Sequence, residues 1–394
     1  MMNTIHQGLL VLIKSALTGE KLPLPQGFTL EAAEELIRSQ SLVPLIYRGA
    51  YNCGIDPKSD IMQRYQVGYF RHLVHGDQQI RAVEKIVSAF EENNIDYMPL
   101  KGCNLKRLYP RPELRTMADA DILFRLEHTE RIKCIMQELR YSEESESDHE
   151  WPWKKDEVYV ELHKRLFAPS ERDLYGYFGD GWGKAIHKAG HRYALSVEDE
   201  YIYLFTHMVK HFRFGGIGAR QIVDLYVYRK AYPDMDEARL RSVLEQLGLL
   251  DFHGNIERML AVWFGDAPAD AMSDFITEFI FSAGNFGSIE NRMMSVEAIE
   301  SHKRGKIKHT KLRTLLRIVF PPLELMKLSY NVLYKYPILY PIFWPVRWID
   351  VLLHQRWKIG KKLNIIQNMS DDKVTAHEKF MNLMGLNYDY GEEE

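Results

Sequence analysis

The chain has 394 residues, 46% apolar and 27% charged, with a net charge of −3; these values are ordinary for a soluble globular protein and leave room for two domains or one large one with extensions. Three cysteines at unrelated spacings (Cys53, Cys103, Cys134) exclude a disulfide framework and a zinc-binding cysteine cluster, so no disulfide partner is expected and a reducing cytoplasm is the simplest compartment. The N-terminal M-M-N-T-I-H-Q-G lacks the basic-then-apolar pattern of a signal peptide, and no stretch reaches the roughly 18 apolar residues of a membrane span.

Residues 1–93 read as an N-terminal helical region. Leu9, Leu10, Leu12, Ile13 and Leu17 share a helical face, and Thr29 caps a second helix that begins at Leu30. Ser39 to Tyr51 and Met62 to Asn93 supply two more helices, the last one long. Nothing in this region points to chemistry; a layer packed on a sheet accounts for it.

Residues 94–190 read as a compact α/β core. Ile95 to Leu100 is a short apolar strand, followed by Lys101-Gly102 and one or two helical turns from Cys103 to Tyr109. Strand, glycine and helix in that order present free N–H groups that can hold a phosphate. Next comes Asp119-Ala120-Asp121-Ile122-Leu123-Phe124, a buried strand opening with two carboxylates. In a strand, side chains at i and i+2 point to one face, so Asp119 and Asp121 project together. Side-by-side carboxylates repel unless a cation lies between them, and oxygen-only ligation suits Mg²⁺ or Mn²⁺. A solvated strand edge is the bland alternative for a lone D-x-D. Glu127 to Arg140 is a helix, the acidic run Ser142 to Ser147 a loop, and His149–Trp153 with Glu157–His163 a hairpin turning at Lys154-Lys155-Asp156. That hairpin carries a third acid, Glu161, able to complete a ligand set or to take a proton from an attacking hydroxyl. His163 faces the same way as Glu161; it either orients Glu161 or contacts substrate, or is a rim residue with no role. Arg115 either meets an anionic substrate group or pairs with an acid on the D-x-D loop, and Lys101 has the same two readings.

The order L-K-G, then Y-P-x-P-x-x-R-x-M-x-D-x-D-I-L, then V-E-L-H resembles the uncharacterised nucleotidyltransferase family within the polymerase-beta-like nucleotidyltransferase superfamily. The resemblance implies an α+β fold, with a small mixed sheet flanked by N-terminal and C-terminal helical regions. It also implies transfer of a nucleoside monophosphate from an NTP, ATP among them, to an acceptor hydroxyl with two Mg²⁺ ions, Mn²⁺ being an alternative. Asp119, Asp121 and Glu161 are then the metal-binding and catalytic acids. Lys101, Gly102, Cys103, Arg115 and His163 fall on the phosphate or substrate side. The chain departs from the family pattern in carrying Cys103 where Ser or Gly is usual, and in a longer interval from Gly102 to Asp119; nucleotidyltransferase toxins of bacterial defence systems tolerate a similar interval.

Residues 170–190, rich in glycine and aromatics, read as a loop over the acceptor site or a core plug. Residues 191–300 read as a helical domain closing the cleft. Ser196 to Asp199 is a capping box. The following helix carries His207 and His211 at i, i+4, without the acid that a zinc-binding H-E-x-x-H would have. The pattern H-x-x-x-H…R-Q-x-x-D again resembles the family, which places His207, Arg220 and Asp224 on the far side of a nucleotide cleft; a buried polar network joining two helices is the other reading.

Residues 301–394 read as a basic, proline- and aromatic-rich C-terminal helical extension. Residues 301–366 hold 14 Lys and Arg against two acids, Glu324 and Asp350, so the segment is about +12 and the remainder about −15. An anionic partner or membrane surface fits this segment, as does a solvated layer balancing acids elsewhere. The tail from Asp371 reads as polar and frayed. Two further classes stay open at this point: a non-catalytic nucleotide- or partner-binding module of the same fold, and a membrane-peripheral protein of glycan or polysaccharide biosynthesis.

Overall fold

The computed structural model describes residues 2–386 apart from 145, 286, 303–306, 308, 328, 331 and 355; the side chains of 302, 324, 334, 354, 356–359 and 361 also lie outside the description, as does the predicted frayed end after residue 386. The fold is α+β, a mixed sheet set among helices. It divides into two compact units, Met1–Lys210 with Ile217–Phe286, and His211–Gly216 with Gly287–Asp389.

The first unit opens with α1 (Thr4–Thr18), α2 (Leu30–Ser39), α3 (Val43–Cys53) and the 33-residue α4 (Asp60–Glu92). Caps set the starts: Asn3 accepts from the His6 amide, and Thr29 accepts from the Ala32 amide at 3.3 Å. The face of Leu9, Leu12 and Ile13 is fully buried, with α1 packed on α3. The two helices cross closely enough that a Cβ at Gly49 would lie 1.9 Å from the Leu12 carbonyl oxygen.

The sheet follows. Its strands are β1 (Tyr97–Pro99), β2 (Asp119–Phe124), β3 (Ser142–Glu143), β4 (Glu150–Lys155), β5 (Val158–His163), β6 (Ile186–Ala189) and β7 (Arg192–Ala194), in the order β3-β4-β5-β2-β1-β7-β6. Between them lie the single-turn α5 (Gly102–Leu105), α6 (Thr129–Glu138) and α7 (Arg172–Phe178). β2 runs antiparallel to β1 and parallel to β5. The period of two sorts the residues cleanly. Ala120, Ile122 and Phe124, with Val160, Leu162, Trp151 and Trp153, form one face and pack with Ile86 and Phe90 of α4 and Ile132, Ile135 and Met136 of α6. Burying side chains of this size contributes about 1.5–3 kcal/mol each. The opposite face is left to Asp119, Asp121, Glu161 and His163.

The expected loop over residues 170–190 is instead α7, a 3₁₀ turn at Trp182–Lys184 and the β6–β7 hairpin. Long-range pairing overrides the local glycine content: β7 adds to β1 with Tyr97 opposite Arg192, and the Arg125 guanidinium lies 4.2 Å over the Trp182 ring. The acidic run at 142–147, expected to be a loop, contributes β3 at the sheet edge. The unit closes with α8 (Val197–Arg213), whose last residues group with the second unit, and with α9 (Ala219–Ala231), α10 (Glu237–Gln246), α11 (Leu250–Phe264) and α12 (Ala271–Ala283). Ser196 caps α8, its hydroxyl accepting from the Asp199 amide at 3.1 Å.

The second unit is helical: α13 (Ile289–His302), α14 (Thr310–Val319), α15 (Leu323–Lys327), α16 (Val332–Lys335), α17 (Tyr340–His354), α18 (Arg356–Asn368) and α19 (Asp371–Leu383). Its centre is polar as well as apolar. Glu297, 1% exposed, faces Arg313 and Arg317, and Ser295 Oγ lies 3.0 Å from His377 Nε2. The predicted frayed tail begins instead as α19, because Ser370 caps it and Asp371 accepts from the Thr310 amide of α14 at 2.9 Å. No helix among the described residues is long and apolar enough to cross a membrane.

Candidate active site

The site is built on the polar face of β2 and β5. In their parallel register Asp121 stands opposite Glu161, Asp119 opposite Tyr159, and His163 opposite Leu123. One residue of β5 therefore reaches diagonally: His163 Nε2 donates to Asp121 Oδ1 at 2.8 Å, while the Glu161 carboxylate is 3.8 Å from the same nitrogen. Of the readings open for His163, orienting Glu161, contacting substrate or lying idle at the rim, the buried ring makes its hydrogen bond to Asp121 and keeps Glu161 as a longer neighbour. Lys101 Nζ donates to the same Oδ1 at 3.0 Å. Ligand atoms of Asp121, Glu161 and His163 all lie within 4.8 Å of one another, and Asp119 shares the strand face without belonging to that tight group.

Burial and charge set the protonation. Burial alone would raise Asp121, but Lys101 and the His163 hydrogen bond override it and hold the carboxyl well below its usual range. Burial disfavours the Lys101 charge, yet Asp121 first, then Tyr203 and Asp119, keep the ammonium protonated. Asp119 is pushed up by burial and by Asp121. Glu161 is pushed up to about 8 by burial, Asp119, Asp121 and Glu150. The face thus holds more carboxylate than its own cations neutralise, which is the electrostatic condition that a divalent cation relieves.

The turn after β1 is tightly made. Lys101 has φ +41, an unfavourable conformation for a side-chain-bearing residue, and it aims the ammonium back onto β2. A Cβ at Gly102 would lie 2.5 Å from Met117 Sδ and 2.7 Å from Arg115 Nη1, so a larger residue requires one of these side chains to shift. The amides of Cys103 and Asn104 donate to the Leu100 and Lys101 carbonyls at 3.1 and 3.0 Å, and are engaged within the turn. Cys103 is partly buried, its thiol pushed up to about 12 by desolvation, and Sγ lies 3.7 Å from the Asp121 carbonyl oxygen.

The sequence of residues 27–265 matches the family of uncharacterised nucleotidyltransferases. The chain belongs to this family. No curated protein matches it. Among solved structures it is similar to the antibiotic-resistance factor ANT(2'')-Ia, known from a solution structure, at 14% identity and a TM-score of 0.34, over 45% of this chain and 97% of that one.

The nucleotidyltransferase motif residues divide into two groups. Lys101, Gly102, Cys103, Asp119, Asp121, Glu161 and His163 gather at the sheet. Arg115 turns elsewhere: Nε and Nη2 donate to the two carboxylate oxygens of Asp224 at 2.8 and 3.0 Å, and the Tyr109 hydroxyl donates to Asp224 Oδ1 at 2.7 Å. The expected partner on the D-x-D loop is thus replaced by an acid of α9. Asp224 is the anchor of a buried polar network, and it ties α9 to the β1–β2 connection rather than to another helix. Only Nη1 of Arg115, buried and without a hydrogen-bond partner, faces Gly102. Arg220 Nη1 is 3.4 Å from the Thr116 carbonyl oxygen, its buried Nε has no hydrogen-bond partner, and its charge acts on Asp119. His207 sits half-buried on α8, one turn beyond Tyr203.

Two residues near the site carry no motif signal. Tyr203, fully buried on α8, faces Lys101. Glu150 stands opposite His163 on β4 and joins His149 at 3.0 Å, which lies 3.4 Å from Lys210 of α8. The alternation of Glu150 and Pro152 on the Glu161 face of the hairpin was the available clue.

Proposed function

We propose that this chain transfers a nucleoside monophosphate from an NTP to a hydroxyl acceptor, with Asp119, Asp121 and Glu161 holding divalent metal. The observation that carries the reading is the register of Asp121 against Glu161, with Asp119 two residues before on the same face. Three carboxylates on one face, two of them with raised proton affinity, fit a hard divalent cation such as Mg²⁺ or Mn²⁺. Such a cation, when bound, supplies charge neutralisation and polarisation at phosphate oxygens.

The chain's own residues supply the rest. Lys101 and His163 fix the Asp121 carboxylate in position and in its ionised form. Glu161, neighboured by Asp119 and Asp121, is the group to take the acceptor proton. Arg220, with an unpaired buried Nε, is the cation best suited to a phosphate oxygen from the α9 side. Arg115, clamped by Asp224, shapes the Gly102 turn and acts through it. Catalysis of this kind is largely positioning and electrostatics.

Incubation with each α-labelled NTP and Mg²⁺ or Mn²⁺, with and without cell extract, tests the reading. Label transferred by the wild type and lost in Asp119→Asn supports it, and the labelled species names the acceptor class. Transfer that persists in Asp119→Asn removes the role given to that residue. Absence of both transfer and metal-dependent NTP binding removes the reading itself.

A further inference from the structure

The second unit contains a helix that leaves its aliphatic side chains in water. Several polar and aromatic side chains of α17, half-buried or, as with Trp348, 36% exposed, bond back onto the end of α14. Trp348 Nε1 donates to the Val319 carbonyl at 2.7 Å, Arg347 Nη1 to Ile318 at 3.0 Å, and the Tyr340 hydroxyl to Pro321 at 2.6 Å. The Phe320 ring packs edge-on against Trp344 and Trp348, with centroids 5.0 and 5.5 Å apart. The outer face is aliphatic. Ile342, Val346, Ile349 and Leu353 follow one another at helical spacing, preceded by Ile338 in the 3₁₀ turn Pro337–Leu339, and all five are 44–86% exposed. α14, joined to α17 at residues 318–321, adds exposed Leu312, Leu315 and Leu316. Water selects the opposite arrangement, with the apolar stripe inward. A contiguous aliphatic face of this extent signals a partner.

Charge decides which partner. Residues 301–366 carry 14 Lys and Arg against two acids; Arg313 and Arg317 face Glu297, while Lys335 and Lys311, whose Nζ donates to the Gln367 carbonyl at 2.8 Å, are exposed. A second copy of the chain would bring an equally basic face to the contact, whereas an anionic surface relieves that charge. α17 has 15 residues and no described helix is long and apolar enough to span a bilayer, so the stripe suits a helix lying along one. From Ile338 to Leu353 it extends roughly 22 Å at the helical rise.

We propose that α17 and α14 form a docking face for the surface of an anionic lipid bilayer. The aliphatic stripe enters the boundary between headgroups and acyl chains, and Lys311, Lys335 and the neighbouring cations meet lipid phosphates. This stands independently of nucleotidyl transfer.

Flotation of the full chain with phosphatidylcholine vesicles, with and without phosphatidylserine, is the test. The expected result is association with the anionic vesicles that weakens as salt rises. Ile342→Asp with Ile349→Asp should lower it by about tenfold or more at an unchanged circular dichroism spectrum and unfolding midpoint. Because both positions are exposed, the fold should tolerate the change; Lys311→Glu with Lys335→Glu is a second variant that should weaken anionic binding without touching the stripe. Failure of the wild type to float with anionic vesicles overturns the proposal, as does binding that survives the aspartates. Self-association that the aspartates dissolve, without vesicle binding, also overturns it and assigns the face to a second copy.

Discussion

Lys101 Nζ and His163 Nε2 converge on a single oxygen, Oδ1 of Asp121, at 3.0 and 2.8 Å. One donor comes from a strained turn and the other from a neighbouring strand, and together they outweigh the burial that would otherwise protonate this carboxyl. The arrangement holds Asp121 ionised before any ligand arrives, which is preorganisation in the electrostatic sense.

Lys101→Met separates two consequences of that relationship. Removing a cation 3.0 Å from a ligand carboxylate should tighten metal binding severalfold, since the repulsion it exerts on a divalent ion disappears. Nucleotidyl transfer should fall by about 10²-fold or more, because Asp121 loses its fixed position and the phosphates lose a cation. Mn²⁺ titration by calorimetry, beside the labelled-NTP assay, reads both; weaker Mn²⁺ binding in the variant would contradict the electrostatic account.

If Glu161 holds metal as proposed, metal binding is coupled to pH. Its carboxyl is raised to about 8 in the folded chain by burial, Asp119 and Asp121, so below that pH the folded state carries a proton that the unfolded chain, with an ordinary carboxyl, releases. This contribution is complete at acid pH below the ordinary carboxyl range and is lost as pH rises through about 8. Metal competes with that proton. The gain in unfolding midpoint on adding Mg²⁺ should therefore be larger at pH about 8.5 than at about 6, and Glu161→Gln should flatten the dependence. Equal gains at both pH values in the wild type would exclude Glu161 as a ligand.

Gly102→Ala is a third probe. The new methyl would meet Met117 Sδ at 2.5 Å and Arg115 Nη1 at 2.7 Å, and Arg115 is held by Asp224. We expect a loss of about 1–3 kcal/mol in urea denaturation, typical of overpacking in a site that cannot yield. A neutral substitution would mean that the Met117 thioether moves aside and that the clamp on the turn is loose.

Much of this geometry was legible in the sequence because it is local. The pairing of Asp119 and Asp121 on one face follows from the period of a strand, and the L-K-G turn, the D-x-D strand and the V-E-L-H strand all lie within 63 residues of one another, Lys101 to His163. The Thr29 cap and the Ser196 cap announced their helices in the same way. What escaped is non-local. Asp224 lies 109 residues from Arg115, and no spacing rule links a residue of α9 to a turn before β2. The register that sends His163 to Asp121 instead of Glu161 depends on how β5 slides against β2, which composition does not encode. β6 lies within the expected loop at 170–190 because its hairpin is held by β1, 95 residues before its partner position, Tyr97 to Arg192. α19 was hidden by polar composition, although Ser370 and the helical spacing of Val374, His377 and Met381 were present.

The Arg115–Asp224 pair gives the prediction least dependent on catalysis. Both side chains are under 10% exposed, and the Tyr109 hydroxyl also donates to Asp224. Breaking a buried pair from one side leaves a charge without its partner, so Asp224→Ala should cost about 3–5 kcal/mol. The cost arises mainly from stranded Arg115 rather than from net attraction, because desolvation offsets much of the Coulombic gain. Replacing all three groups together, Arg115→Met, Asp224→Leu and Tyr109→Phe, removes the polar atoms that Asp224→Ala strands on Arg115 and Tyr109, though Arg220, 3.9 Å from Asp224, still loses its carboxylate; the triple variant should be less destabilising than Asp224→Ala alone. Urea denaturation of the two variants decides it, and a triple variant at least as unstable as the single one would show that the pair is a true net stabiliser. Transfer activity in a folded triple variant then asks a separate question. If the pair acts only by shaping the Gly102 turn, activity should fall through loss of position at Lys101 while Asp119, Asp121 and Glu161 still bind Mn²⁺ with wild-type affinity.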